Sequence, residues 1–209
     1  MNLKFISLLS ACVLFAGAAS AQVGKNMTLV YADVASEKEL ASFPHMTPAL
    51  AANVVAKRPF ANAQAFDAAV SGLSADQRKE LYGKVFLPLN LNTASEAEIM
   101  LIPGMTKRMA HEFDEYRPYA NLDQFRKEIG KYVDKNEVAR LEQYVFIPLN
   151  LNTASSEAFM SIPGISKRMV HEFEEYRPYK TIEQFRAEIG KYVDKNEVAR
   201  FERYVTLGK

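Results

Sequence analysis

The chain has 209 residues, with 26 Lys and Arg against 25 Asp and Glu, a formal net charge of +1 and a single cysteine. A charge this close to zero excludes a global electrostatic field as the source of any binding to nucleic acid or an anionic membrane, so such attraction has to be local. One cysteine excludes a disulfide framework and cysteine-based metal sites.

Met1 to Lys4 is a short positive stretch, Phe5 to Ala18 is apolar, and Ala19-Ser20-Ala21 is a run of small residues ahead of Gln22. This pattern reads as a secretory signal peptide over 1–21, cut after Ala21. The mature protein is therefore expected in the periplasm or secreted, without Cys12. Phe5 to Ala21 is short of the ~20 residues that cross a bilayer, so no stable membrane insertion is expected after cleavage. Removing Lys4 with the leader leaves 25 basic and 25 acidic residues.

The next segment, 22–86, reads as a worn copy of segment 87–146. Asp33-Val34-Ala35-Ser36 answers Asn92-Thr93-Ala94-Ser95, and Phe43-Pro44-His45-Met46-Thr47 answers Ile102-Pro103-Gly104-Met105-Thr106. Arg58-Pro59-Phe60 answers Arg117-Pro118-Tyr119. In this copy His45 stands where a glycine does later, and Pro48-Ala49 replaces a Lys-Arg pair, so a structural role is expected.

Segment 87–146 carries consistent helix signals. Ser95-x-x-Glu98 is a capping box ahead of Ile99 and Ile102, and Pro103-Gly104 stops that short helix. A second helix is expected from about Thr106, burying Met109, Phe113 and Tyr116, and ending before Pro118. Leu122, Phe125 and Ile129 mark a third helix that ends at Gly130. Asp134-x-x-Glu137 caps a fourth, with Val138, Leu141 and Val145 inward.

Segment 147–209 writes this out again. Aligned without a gap, 87–146 and 147–206 agree at 42 of 60 positions. No stretch shows the sustained alternation of a strand, so the expected fold is all-α, built from tandem units of short helices. One unit of about 60 residues is marginal alone, because it buries only ~60% of its unfolded surface. Stacking of units is expected to supply the rest.

Each clear copy aims a tight Pro-Gly turn, helix N-terminal amides and two cations at one point. Unsatisfied amides and the positive end of the helix dipole favour an anion there. The sequences are Pro103-Gly104-Met105-Thr106-Lys107-Arg108 and Pro163-Gly164-Ile165-Ser166-Lys167-Arg168.

The run Leu91-Asn92-Thr93-Ala94-Ser95, a short helix, Ile102-Pro103-Gly104 and a basic helix ending in Tyr116-Arg117 resembles a helix-hairpin-helix module. It is most similar to the ComEA-type exported competence DNA receptors. The resemblance implies sequence-independent contacts to the backbone of double-stranded DNA. It places Gly104, Thr106, Lys107 and Arg108 at one phosphate and Gly164, Ser166, Lys167 and Arg168 at another. The family's usual second glycine is replaced by Thr106 and Ser166, whose Cβ is expected either to hold the backbone further from a phosphate or to require a different turn geometry. Arg108–Glu112 and Arg168–Glu172 are spaced i, i+4, and are expected to form ion pairs along the helix.

No cofactor is expected. No second histidine, cysteine or acid pair gives His111 or His171 a metal spacing, and no carboxylate joins a nucleophile motif. The expected function is thus a non-enzymatic, exported DNA-binding protein, with a role in DNA uptake. The rival reading is an envelope protein-interaction or scaffold module, resembling the extrinsic helix-hairpin-helix subunit of photosystem II. Zero net charge, the substituted turn and the acidic second helices favour that rival.

Overall fold

A computed structural model describes residues 24 and 28–208 of the chain. The expected signal peptide, 1–21, lies outside the described residues.

Among the described residues the fold is mostly helical, with twelve short helices and six two-residue strands. The strands correct the expectation of a purely all-α fold. They pair in parallel, so that each clasps the start of one segment to its end: β1 (Val30–Tyr31) to β2 (Val85–Phe86), β3 (Leu89–Asn90) to β4 (Val145–Phe146), and β5 (Leu149–Asn150) to β6 (Val205–Thr206). Two residues cannot display an alternating pattern, and both residues of β2 and of β4 are buried. Parallel pairing needs a long crossover, and here four helices provide it each time.

The first clasp encloses α1 (Glu37–Leu40), α2 (Pro48–Ala56), α3 (Ala63–Ala69) and α4 (Ala75–Tyr82). The second encloses α5 (Glu96–Ile99), α6 (Lys107–Glu115), α7 (Leu122–Ile129) and α8 (Lys135–Glu142). The third encloses α9 (Ser156–Phe159), α10 (Lys167–Glu175), α11 (Ile182–Ile189) and α12 (Lys195–Glu202).

Every one of these helices starts at a Ser, Thr, Asn or Asp whose side chain accepts from a first-turn amide, which is why such short helices hold their ends. Ser95 and Glu98 form the complete capping box read from the sequence. Asp134 caps α8 alone, because Glu137 turns away to Arg140.

The Asn-Thr-Ala-Ser and Tyr-Arg-Pro-Tyr motifs prove to be two halves of one lock. Asn92 donates to the Tyr119 carbonyl at 3.0 Å and accepts from the Tyr119 amide at 2.7 Å. Arg117 donates to the carbonyls of Leu91 and Ala94 at 2.6 and 2.7 Å. Asn152, Tyr179 and Arg177 repeat this lock in the third segment. The effect is to hold α5–α6 and α9–α10 in one fixed orientation.

Phe113 and Phe125 meet edge to face at 5.2 Å in the core, as do Phe173 and Phe185 at 5.1 Å. The first two segments share one continuous apolar core, joined where Phe86 meets Tyr144 at 5.0 Å. The third has its own core. It meets the first through a charged seam, in which Arg203 lies 2.7 Å from the fully buried Asp33 carboxylate and donates to the Pro88 carbonyl. No described helix is long and apolar enough to cross a membrane.

Candidate functional site

In the second segment, α5 ends at Ile99, the chain reverses through Pro103-Gly104, and α6 begins at Lys107. Gly104 takes φ +78° and Gly164 takes φ +72°, in the left-handed region that a side chain penalises. His45 holds the equivalent place in the first segment at φ +67°, so the turn survives there without its glycine. Its ring Nε2 lies 2.7 Å from Glu80 Oε2 of α4.

Thr106 and Ser166 do not disturb the turn as the sequence had led one to expect. Both lie in extended backbone, at φ −111° and −94°, where a Cβ fits without strain. Each hydroxyl caps its helix by accepting from the amide of Met109 or Met169 at 3.2 Å. That leaves the hydroxyl proton to be donated outward. The amides of Gly104, Thr106, Lys107 and Arg108 have no acceptor among the described residues, and neither do those of Gly164, Ser166, Lys167 and Arg168. All eight of these residues are exposed. In the first segment Pro48 opens α2, which removes one donor outright.

The i, i+4 ion pairs expected of the two arginines do not form. Glu112 and Glu172 are each only 7% exposed and turn inward. There Glu112 lies beside the Tyr116–Tyr132 hydroxyl pair (2.7 Å) and Glu172 beside the equivalent Tyr176–Tyr192 pair (2.8 Å), each with its Oε2 buried and without a hydrogen-bond partner among the described residues. Position i+4 on these amphipathic helices faces the core, so the carboxylate stays with the tyrosines. Hydrogen bonds to Tyr116 first, and to Glu112 next, hold the Tyr132 phenol above its ordinary pKa. Arg108 keeps no ion pair among the described residues, and Arg168 lies over the Tyr192 ring at 5.7 Å.

His111 and His171 point to solvent beside Glu115 and Glu175 at 3.6 and 3.5 Å. Among the described residues no three His, Cys, Asp or Glu side chains converge where they could hold a metal ion. Sequence reading missed the Asp33–Arg203 seam, since 170 residues separate the partners and no local pattern links them. One signal was present: the copies differ there, with Arg203 standing where the second segment has Gln143.

No family model and no solved structure matches the chain. It is similar to endonuclease/exonuclease/phosphatase family domain-containing protein 1 of Xenopus laevis, at 31% identity over 128 residues, 46% of this chain and 23% of that protein. The proteins of that name from Danio rerio and Homo sapiens match at 27% and 28%, again over 46% of this chain and 23% and 24% of theirs. The chain thus spans about a quarter of the length of these curated relatives. Their name, which is that of an endonuclease/exonuclease/phosphatase family, overturns the expectation of a protein outside the enzymes.

Proposed function

We propose that the segments are helix-hairpin-helix units and that the chain holds the backbone of double-stranded DNA without reading its sequence. The contacts are assigned to Gly104, Thr106, Lys107 and Arg108, and to Gly164, Ser166, Lys167 and Arg168. The observation that carries this reading is the set of first-turn amides without an acceptor, beside exposed cations without an ion pair, among the described residues. A phosphate satisfies both groups at once, and positions the protein without base contacts. The inward turn of Glu112 and Glu172 supports it, because it leaves both arginines without an ion pair among the described residues. The relatives' name adds support of another kind, since endonucleases and exonucleases act on a phosphodiester backbone. The leader 1–21 is proposed to export the chain to the envelope, where such binding would serve DNA uptake.

Fluorescence anisotropy of a labelled duplex, titrated from low to physiological salt, tests this reading. Binding should weaken with a slope near −0.9 per neutralised phosphate, so a few contacts give a shallow dependence. Absence of binding at low salt, or full binding by a quadruple Lys107→Glu, Arg108→Glu, Lys167→Glu, Arg168→Glu variant, would sink it.

An envelope scaffold is the second reading, and one observation favours it: the third segment's turn already carries a protein contact, with Val34 of the first segment. A pull-down that recovers one stoichiometric protein, unaffected by nuclease, is the result this scaffold reading requires.

A further inference from the structure

The two Pro-Gly turns match closely in sequence but not in surroundings. At the third segment's turn, Val34 of the first segment lies so close that a Cβ on Gly164 would stand 2.9 Å from its Cγ1. Pro163, Ile165 and Met169 are buried there, whereas Pro103, Met105 and Met109 at the second turn are half-buried. Arg200 donates to the Pro163 carbonyl and is 5% exposed in its side chain; its counterpart Arg140 is 33% exposed and donates to Glu137. The Arg203–Asp33 pair closes the same seam.

The second turn opens instead onto a groove of about 410 Å3. Met100 to Met105 form one wall, and Arg78, Lys79 and Tyr82 of α4 line the other. Arg78 is already engaged, 3.2 Å from the Asp67 carboxylate and donating to the Leu73 carbonyl at 2.8 Å. Asp67 is engaged too, accepting from Tyr82 at 2.5 Å. Lys79 is exposed and has no ion-pair partner among the described residues. It therefore faces the groove as an uncommitted cation, on the segment whose own turn has lost its Lys-Arg pair.

We propose that the DNA footprint is asymmetric: it runs from Lys107 and Arg108 across the second turn into the groove and ends on Lys79, while the third turn is the seat of the first segment and takes no phosphate. This rests on the DNA-backbone reading above and narrows it to one turn. The first segment then has two tasks, supplying a phosphate contact to its neighbour and packing Val34 against the turn of the third. The partner remains a phosphodiester backbone, since the groove adds one cation and no new specificity element.

Anisotropy of a labelled duplex against the full mature chain and three exposed-surface variants tests this directly. Lys79→Ala should weaken binding several-fold and make the salt slope shallower by about 0.9, the signature of one lost phosphate contact. Lys107→Glu with Arg108→Glu should remove most binding. Lys167→Glu with Arg168→Glu should stay within about two-fold of wild type. Equal losses from the two Lys-Arg pairs, or an unchanged slope for Lys79→Ala, overturn the asymmetric footprint and leave DNA binding standing. No binding by the wild-type chain at low salt overturns the DNA-backbone reading itself, and this footprint with it.

Discussion

Asp33 and Arg203 stand 170 residues apart in the chain and meet at 2.7 Å, with the aspartate side chain fully withdrawn from solvent. A buried pair of this kind adds little by itself, yet losing one partner strands the other charge. Arg203→Ala should therefore destabilise the chain by about 3–5 kcal/mol, read from urea unfolding. A loss below about 1 kcal/mol, typical of a surface pair, would mean that the seam opens to water in solution.

The same aspartate gives stability a pH dependence of unusual sign. Burial pushes the Asp33 carboxyl above its ordinary value, outweighing the pull of Arg203, Arg200 and Arg58. A raised folded-state pKa means that the folded chain holds this proton more tightly than the unfolded one. The contribution is present below the ordinary carboxylate pKa of about 4, and is lost as pH rises through the raised value. Unfolding free energies of wild type and Asp33→Asn, compared from pH 4 upward, should diverge in the variant's favour. A difference that stays flat with pH counts against this account.

The turn position carries a paired prediction. Gly104→Ala forces a Cβ into the left-handed region and should cost about 1–2 kcal/mol. His45→Gly relieves the same strain in the first segment but loses the contact with Glu80, so it should remain within about 1 kcal/mol of wild type. Thermal unfolding of the two variants side by side reads the contrast. Equal losses would show that the His45 turn depends on its side chain more than on its backbone.

Asn92→Ala removes a donor and leaves the Tyr119 amide without its acceptor, for an expected loss of about 1–3 kcal/mol. Asn152→Ala should cost a similar amount, because Asn152 meets Tyr179 at 2.9 and 2.7 Å. Hydrogen exchange is the sharper readout. The Tyr119 amide should lose protection in the first variant and the Tyr179 amide in the second. Unchanged protection would mean that the motif serves something other than this lock.

How far the sequence reaches is clearest at the helix ends. Ser95 with Glu98, the Pro-Gly stop and the i, i+4 spacing of Met109 and Phe113 are local signals, and α5 and α6 follow them closely. The two-residue clasps left no such signal, because pairing Leu89 with Val145 requires four intervening helices to bring them together. Charge pairing was read less well. Spacing linked Arg108 to Glu112, but the carboxylate followed the apolar face of α6 to Tyr116 and Tyr132.

By itself, then, the sequence determined the local pieces: where helices start and stop, which residues face inward, and that 87–146 and 147–206 are near copies. Caps, turns and periodicity act within a few residues, so each piece is legible in place. Only the tertiary structure decided that two nearly identical turns differ, because Val34 reaches Gly164 while Lys79 faces the groove beside Gly104. The same residues acquire different surroundings when a folded neighbour stands against one copy and leaves the other open, and no pattern within either copy encodes that.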